Sequence, residues 1–168
     1  VSMRFVGEPF IFSFTEVAEG PSLIGPNAAV SANNRVYFMD SGGFYSYSGS
    51  AEKIPCTVLD YVLSDLNQGQ AFKVFAAVNN IANEIMWFYP SGTNTEIDKY
   101  VLYNYLENLW SIGTTDDDFI RTAWDQASIL EYPIAASKND SSNLNYIYNH
   151  EKGHGNDGSN FTAYIESS

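Results

Sequence analysis

Basic residues are scarce in this chain. Eight Lys and Arg stand against 20 Asp and Glu in 168 residues, for a net charge of −12. Proteins that grip nucleic acid need a clustered basic footprint, and Arg4, Arg35 and Arg121 are scattered along the chain without forming one. The acidic balance repels nucleic acid and anionic membranes and favours a solvated surface. Cysteine is nearly absent. Cys56 stands alone, so an internal disulfide is excluded and nothing demands an oxidising compartment. Its expected role is that of a small buried side chain, since no His lies within 90 residues to activate it as a nucleophile. No apolar run approaches the roughly 18–20 residues that span a bilayer, and the opening residues do not read as a secretory leader. A Gly-x-Ser-x-Gly elbow, a phosphate-cradling loop and a dinucleotide fingerprint are all missing.

Aromatic residues, in contrast, are abundant. They make up 15% of the chain, with 12 Tyr and 11 Phe, and hydrophobic residues reach 45%. That is enough to bury a sizeable core in one ordinary domain, and rings of this kind suit the pleated surface of strands. The chain begins without Met and closes on TAYIESS, which reads as strand. We therefore expect a fragment of a longer protein.

The densest signal is residues 84–113, EIMWFYPSGTNTEIDKYVLYNYLENLWSIG. It reads as three strands, EIMWFYP, KYVLYNY and LWSIG. Pro90 ends the first, because proline cannot donate to a ladder, and Leu106, Glu107 and Asn108 form a tight turn. Ile85, Trp87 and Tyr89 point to one face, and Met86 and Phe88 to the other. A sheet with one wet face would alternate with polar residues, so this sheet is expected to be covered on both sides.

Similar patterns lie upstream and downstream. EPFIFSF at 8–14 is a short strand candidate, and Gly20, Pro21, Gly25 and Pro26 mark a loop. In 28–49, Asn33 with Asn34 and Ser41 with Gly42 and Gly43 are turn signals between the strands VYFMD and FYSYS, which is hairpin grammar. FKVFAAVNN at 72–80 is a further strand. One segment breaks the pattern: Val58, Val62 and Leu66 recur at i+4, with Leu59 and Leu63 alongside, and predict one short helix near 56–68. Thr57 and Asp60 suit its N-terminal cap, and Gly69 its stop. TTDDDFIRTAW passes through an acidic loop. From residue 132 the strand pattern restarts with YPIAASKN, LNYIYNHEKG and FTAYIES.

Three segments repeat one theme: a small-residue strand, a polar turn, then an aromatic strand. The small strands hold Ala28 and Ala29, Ala76 and Ala77, and Ala135 and Ala136, so the pairs start 48 and 59 residues apart, near the blade length of about 40–50 residues in several propeller families. Small residues suit a crowded inner strand, and blades stacked face to face explain strands apolar on both sides. The expected fold is all-β, with propeller-like antiparallel meanders forming part of one propeller-type domain over 1–168. Its blade-like units fall at about 28–54, 72–124 and 132–168. A single β-sandwich is the alternative. Three blades do not close a ring, so more chain or a partner is required.

Candidate chemistry is sparse. His150, Glu151, His154 and Asp157 fall within HEKGHGND, but Gly153, Gly155 and Gly158 argue against the helix that would align two His on one face; a solvated loop is expected rather than a metal site. Asp116, Asp117 and Asp118 offer oxygens for calcium without EF-hand spacing. GNDGSNF at 155–161 only partly matches the Asp-box of sialidase propellers. Trp110 and Trp124 are sugar-stacking candidates that, within strands, more often pack a core. Twenty acidic residues make a glycosidase-like carboxylate pair easy to find and uninformative. We assign no catalytic, cofactor-binding or metal residues, and no cofactor.

NEIMWFYPSGTNTEIDKYVLYNYLENLWSIG, with RTAW at 121–124, YPIAA at 132–136, YIYNHEKG at 146–153, GSNFTAYIESS at 158–168, and NNRVYFMDSGGFYSYSG followed by IPCTVLDYV, resembles a family of phage virion proteins. These are the propeller-forming tail hub and head-completion proteins of short-tailed phages, described as stabilising packaged DNA. The resemblance covers nearly the whole chain, which is much shorter than a whole member. It implies a structural, non-enzymatic role in the phage tail of the virion, at the portal vertex. There the protein would extend the DNA channel, assemble as a homo-oligomeric ring and contact portal, adaptor or tail proteins. Packaged DNA would pass without specific binding, and no membrane is involved. The alternative is a propeller module that binds a host glycan or surface receptor.

Overall fold

The computed structural model describes residues 2–15, 20–115, 120–126, 129–138, 145–153, 155–156 and 159–160. An N-terminal hairpin pairs β1 (Ser2–Phe5) with β2 (Phe12–Thr15). The strand expected at 8–14 therefore starts later, because the chain turns through Gly7 at φ 79° before β2 begins. Three antiparallel meanders follow. The first runs β3 (Ala29–Ala32), β4 (Arg35–Asp40), β5 (Gly43–Tyr47) and β6 (Ala51–Ile54). Asn33 and Asn34 make the β3–β4 turn with φ of 48° and 59°, the left-handed pair that a two-residue hairpin needs to match strand twist. At the next turn the Asp40 carboxylate accepts the Gly42 N–H at 2.6 Å and the Ser22 N–H at 2.7 Å.

The helix is shorter than expected. α1 spans Leu59–Asp65, and its N-cap is Val58, which gives no side-chain cap. Thr57 does not cap it. Gly69 does not stop it either: the backbone extends at Leu66, and a separate 3-10 turn at Gln68–Lys73 begins where the Asn67 side chain accepts the Gly69 N–H. That turn occupies the start of the strand expected at 72–80. The second meander then comprises β7 (Phe75–Asn79), β8 (Glu84–Tyr89), β9 (Lys99–Asn104) and β10 (Leu109–Thr114).

The third sheet holds β11 (Ile120–Asp125), β12 (Ile134–Lys138) and β13 (Asn145–Asn149), and a two-residue pair, β14 (Gly155–Asn156) with β15 (Ser159–Asn160), comes after it. β11 was grouped by sequence with the second unit, but it pairs with β12 through a register shift between Arg121 and Ala123. The third Ala pair consequently lies in the middle strand of its sheet and not in the first. The strand expected in FTAYIES lies outside the described residues. Across the described residues the chain is mostly β, built from antiparallel meanders that do not close a ring.

The second sheet sits between the other two. On one face, Ile85, Trp87, Tyr89, Val101 and Tyr103 share a core with Tyr37, Met39 and Phe44 of the first sheet and with Val62 and Leu66 near α1. On the other, Phe75, Ala77, Met86 and Phe88 pack with Ile120 and Trp124 of the third. β8 is buried from Ile85 to Tyr89 without a break, the two-sided burial that its lack of alternation predicted. The first strands stand together. Ala76 N–H donates to the Asn27 carbonyl at 2.8 Å beside a parallel bridge from Asn27 to Phe75, and β7 in turn neighbours β11. Close approach continues at Gly25, where a Cβ would stand 2.9 Å from the Ala71 carbonyl oxygen.

Candidate functional site

Two polar clusters form where the elements meet. The first joins α1 to β8 and β9. Asp65 ends the helix and accepts Lys99 Nζ at 2.8 Å and Tyr89 Oη at 3.2 Å, while Lys99 also donates to Tyr61 Oη at 2.9 Å. Tyr89 is fully buried. The hydrogen bond to Asp65 is the largest cause that lifts the Lys99 pKa above its ordinary value. A lysine so held stays an ammonium ion, unlike the desolvated, depressed lysines that act as nucleophiles. Burial, then Asp65, raises the Tyr89 phenol as well, so both groups are fixed in their resting protonation states. Chemically the cluster is a clamp between helix and sheet.

The second cluster lies between the second and third sheets. Arg121 Nε donates to His150 Nε2 at 2.9 Å, and the His150 ring packs 4.5 Å from that of Trp124. With Nε2 accepting, the ring proton resides on Nδ1. The Asn79 side-chain amide donates to Glu84 at 3.5 Å and to Glu151 at 3.4 Å, and Asn80 N–H donates to Gln126 Oε1 at 2.6 Å. Burial chiefly, then the Glu151 charge, raises the Glu84 carboxyl pKa, while the Asn79 bond opposes it. Burial, then Arg121, lowers His150 from 6.5 to about 4.

These shifts predict a pH dependence. The unfolded chain protonates His150 near pH 6.5, whereas the folded one resists until about 4. The stabilisation is therefore complete above pH 6.5 and is lost as the pH falls toward 4. Glu84 acts in the opposite sense, since its raised pKa penalises the fold once the carboxyl ionises. Urea midpoints should fall between neutral pH and the low fours, and His150→Gln, which keeps an acceptor for Arg121, should flatten that fall. An equally steep fall in the variant would show that His150 is not the group responsible.

The remaining sequence candidates separate clearly. His150 and Glu151 come together, but in contact with Arg121 and Asn79 rather than converging on a common point, and His150 Nε2 is already hydrogen-bonded. His154, Asp157 and the triplet Asp116, Asp117 and Asp118 lie outside the described residues, as does part of GNDGSNF. No group of three metal-ligating side chains occurs among the described residues. Cys56 is half-buried, and burial raises its thiol pKa, which disfavours the thiolate that reaction would require. Trp110 donates its indole N–H to the Pro55 carbonyl and Trp124 to the Val78 carbonyl, both at 2.9 Å. Each ring packs between sheets, against Phe44 and Trp87 or against Phe88, so neither is a free sugar platform.

Sequence reasoning missed both clusters. Asp65 and Lys99 are 34 residues apart, and Arg121 and His150 are 29, so only tertiary packing, of α1 on the second sheet in one case and of strands in the other, brings them together. Concave surface lies elsewhere. A shallow groove of about 670 Å³ runs along the β3–β4 turn between Ser31 and Val36 and past Tyr47. Another, of about 510 Å³, is lined by Thr122, Ala136, Ser137, Asn145, Tyr146 and Ile147 on the third sheet. Neither groove is lined by either polar cluster. No helix among the described residues is long and apolar enough to cross a membrane. No protein-family model matches the chain, and no curated protein matches it.

Proposed function

We propose that this chain is a non-catalytic structural component of a phage virion. In this reading it is part of a β-propeller in a tail hub or adaptor at the portal vertex, where it extends the DNA channel and helps to retain packaged DNA. The observation that carries the architectural half is the stack itself. Three meanders lie face on face, their first strands stand side by side, and the middle sheet is dry on both faces. The outer face of the first sheet is also largely apolar, with Val36, Phe38, Tyr45 and Tyr47 on it by register. On that of the third, Ala136 and Ile147 stand beside Asn145 and Asn149. A further sheet stacked on the first would continue the same packing toward closure.

The virion half of the reading rests on the family resemblance of the sequence, and the chemistry is compatible with it. Both polar clusters join one element to another, and the one at α1 holds Lys99 and Tyr89 in their resting protonation states. A net charge of −12 suits a channel wall past which phosphates slide, because basic contacts would retain them. Electron cryomicroscopy of the intact particle is the decisive test. The density of this chain is expected in a ring at the portal vertex; density at a fibre tip would overturn the assignment in favour of receptor or glycan binding. A second measurement tests the channel wall alone: duplex DNA should show no mobility shift with this protein at low salt, and tight binding would refute it.

A further inference from the structure

The segment just past β13 crosses the seam between the second and third sheets. The β12–β13 ladder ends where Asn149 pairs with Ile134. Beyond it the His150 N–H donates to the Pro133 carbonyl at 2.7 Å. The Glu151 carboxylate reaches β7, where it accepts the side-chain amide of Asn79 at 3.4 Å. Asn79 is almost wholly buried. Glu151 holds a left-handed backbone at φ 58°, and Gly153 another at 80°. Glycine adopts that conformation freely. A residue with a side chain is strained in it and stays there only where its surroundings hold it. Residues 150–152 therefore form a strained strap, fixed mainly by side-chain contacts, which can lift without breaking the β-ladder.

His150 is the contact that acid can break. Its ring lies 4.5 Å from that of Trp124, which is tied to the second sheet through its indole N–H on the Val78 carbonyl and its packing on Phe88. Its Nε2 accepts the Arg121 Nε–H at 2.9 Å, and that bond exists only while the imidazole is neutral. In the imidazolium both ring nitrogens are donors. Donor would then face donor, and two cations would stand within hydrogen-bond distance in a half-buried seam. Burial and Arg121 are the influences on His150, and both favour the neutral ring. The other charges around the strap are engaged elsewhere. Arg121 also stands over the Tyr148 ring of β13 at 5.1 Å, Glu151 is bound to Asn79, and Lys152 lies over Tyr132 at 5.9 Å. From the second sheet Glu84 shares the Asn79 amide with Glu151, and Tyr100 on β9 feels both carboxylates. Protonation of Glu84 relieves its repulsion by Glu151, so the carboxylates resist opening in acid while His150 drives it.

We propose that residues 150–152 are an acid-released strap: protonation of His150 lifts the segment off Trp124 and Arg121, lets Glu151 leave its left-handed backbone and part from Asn79, and leaves β12 and β13 paired. The device belongs to the seam alone and holds wherever the chain is carried. Its opening equilibrium should rise about tenfold per pH unit between 6.5 and about 4, roughly a few hundredfold in all. Nuclear magnetic resonance of the full chain reads this directly. The Overhauser contact between the His150 and Trp124 rings should be present at neutral pH and vanish as His150 titrates. The His150 amide should lose its protection from exchange over the same range, while the indole N–H signals of Trp87 and Trp110 keep their dispersion. In His150→Gln, which keeps an acceptor for Arg121 but does not titrate, the Trp124 indole signal should stay fixed. Glu84→Gln should retain the transition. Ring contact that survives protonation of His150 overturns the proposal, as does a transition that persists in His150→Gln or disappears in Glu84→Gln. Collapse of the Trp87 and Trp110 signals at the same midpoint also overturns it, because the whole stack would then be unfolding.

Discussion

Trp87→Ala is expected to lower the free energy of unfolding by about 4 kcal/mol, the upper range for removing a large aromatic from a packed core. Trp87 has no exposed surface. Its ring lies 4.7 Å from Phe44 and 6.1 Å from Trp110, so deletion opens a cavity against the first sheet that β-ladders hold apart. A second loss adds to the first, because the indole N–H donates to the Ala28 carbonyl at 3.2 Å. That acceptor belongs to a fully buried residue, and water does not easily replace the donor. In a domain of this size the melting temperature should fall by about 10 °C. Guanidinium denaturation gives the magnitude and hydrogen exchange gives the place. Amides of β4 and β5 should lose protection first in Trp87→Ala, whereas Phe88→Ala, on the opposite face, should loosen β11 and β12. Equal loosening of both outer sheets by either variant would contradict the two-faced packing of β8.

The second large effect concerns the clamp between α1 and the second sheet. Asp65→Ala should cost about 2–3 kcal/mol, because it leaves the buried Tyr89 hydroxyl and one side of the Lys99 ammonium without the acceptor they share. The Lys99 and Asp65 side chains are only 20% and 21% exposed, so the pair is less screened by solvent than a surface ion pair. Tyr89→Phe removes the orphaned hydroxyl, so adding it to Asp65→Ala should recover part of the loss. A double variant that is merely the sum of the two singles would show that Tyr89 and Asp65 are not coupled.

How far the fold was readable depended on what each element needed. β8 was legible because five apolar residues in a row, closed by Pro90, leave only a strand buried on both faces. The Asn33 and Asn34 turn was legible because positive φ has few tenants. β11 was not. Ile120, Arg121, Thr122, Ala123, Trp124 and Asp125 show no clean alternation, and the bulge between Arg121 and Ala123 explains why: one residue is out of step with its neighbours. The start of α1 was misplaced because Thr57 offered a capping hydroxyl that the backbone, capped at Val58, does not use. β1 gave too short a signal, with only four residues and a charge in the middle. The polar clusters are products of packing between elements distant in sequence, helix on sheet for one and strand beside strand for the other, so no window along the chain contains them.

Covering the second sheet on both sides has a consequence for how the molecule comes apart. Each outer sheet has one of its faces in a hydrophobic core with the second, as in repeat arrays where stability is close to a sum of units and nearest-neighbour interfaces. Damage at either end is then confined to one boundary, and the other pair remains docked. Damage in the centre removes both boundaries at once. The middle meander is the keystone: the end sheets can fray singly under heat or force, but the two halves part company only when β8 lets go.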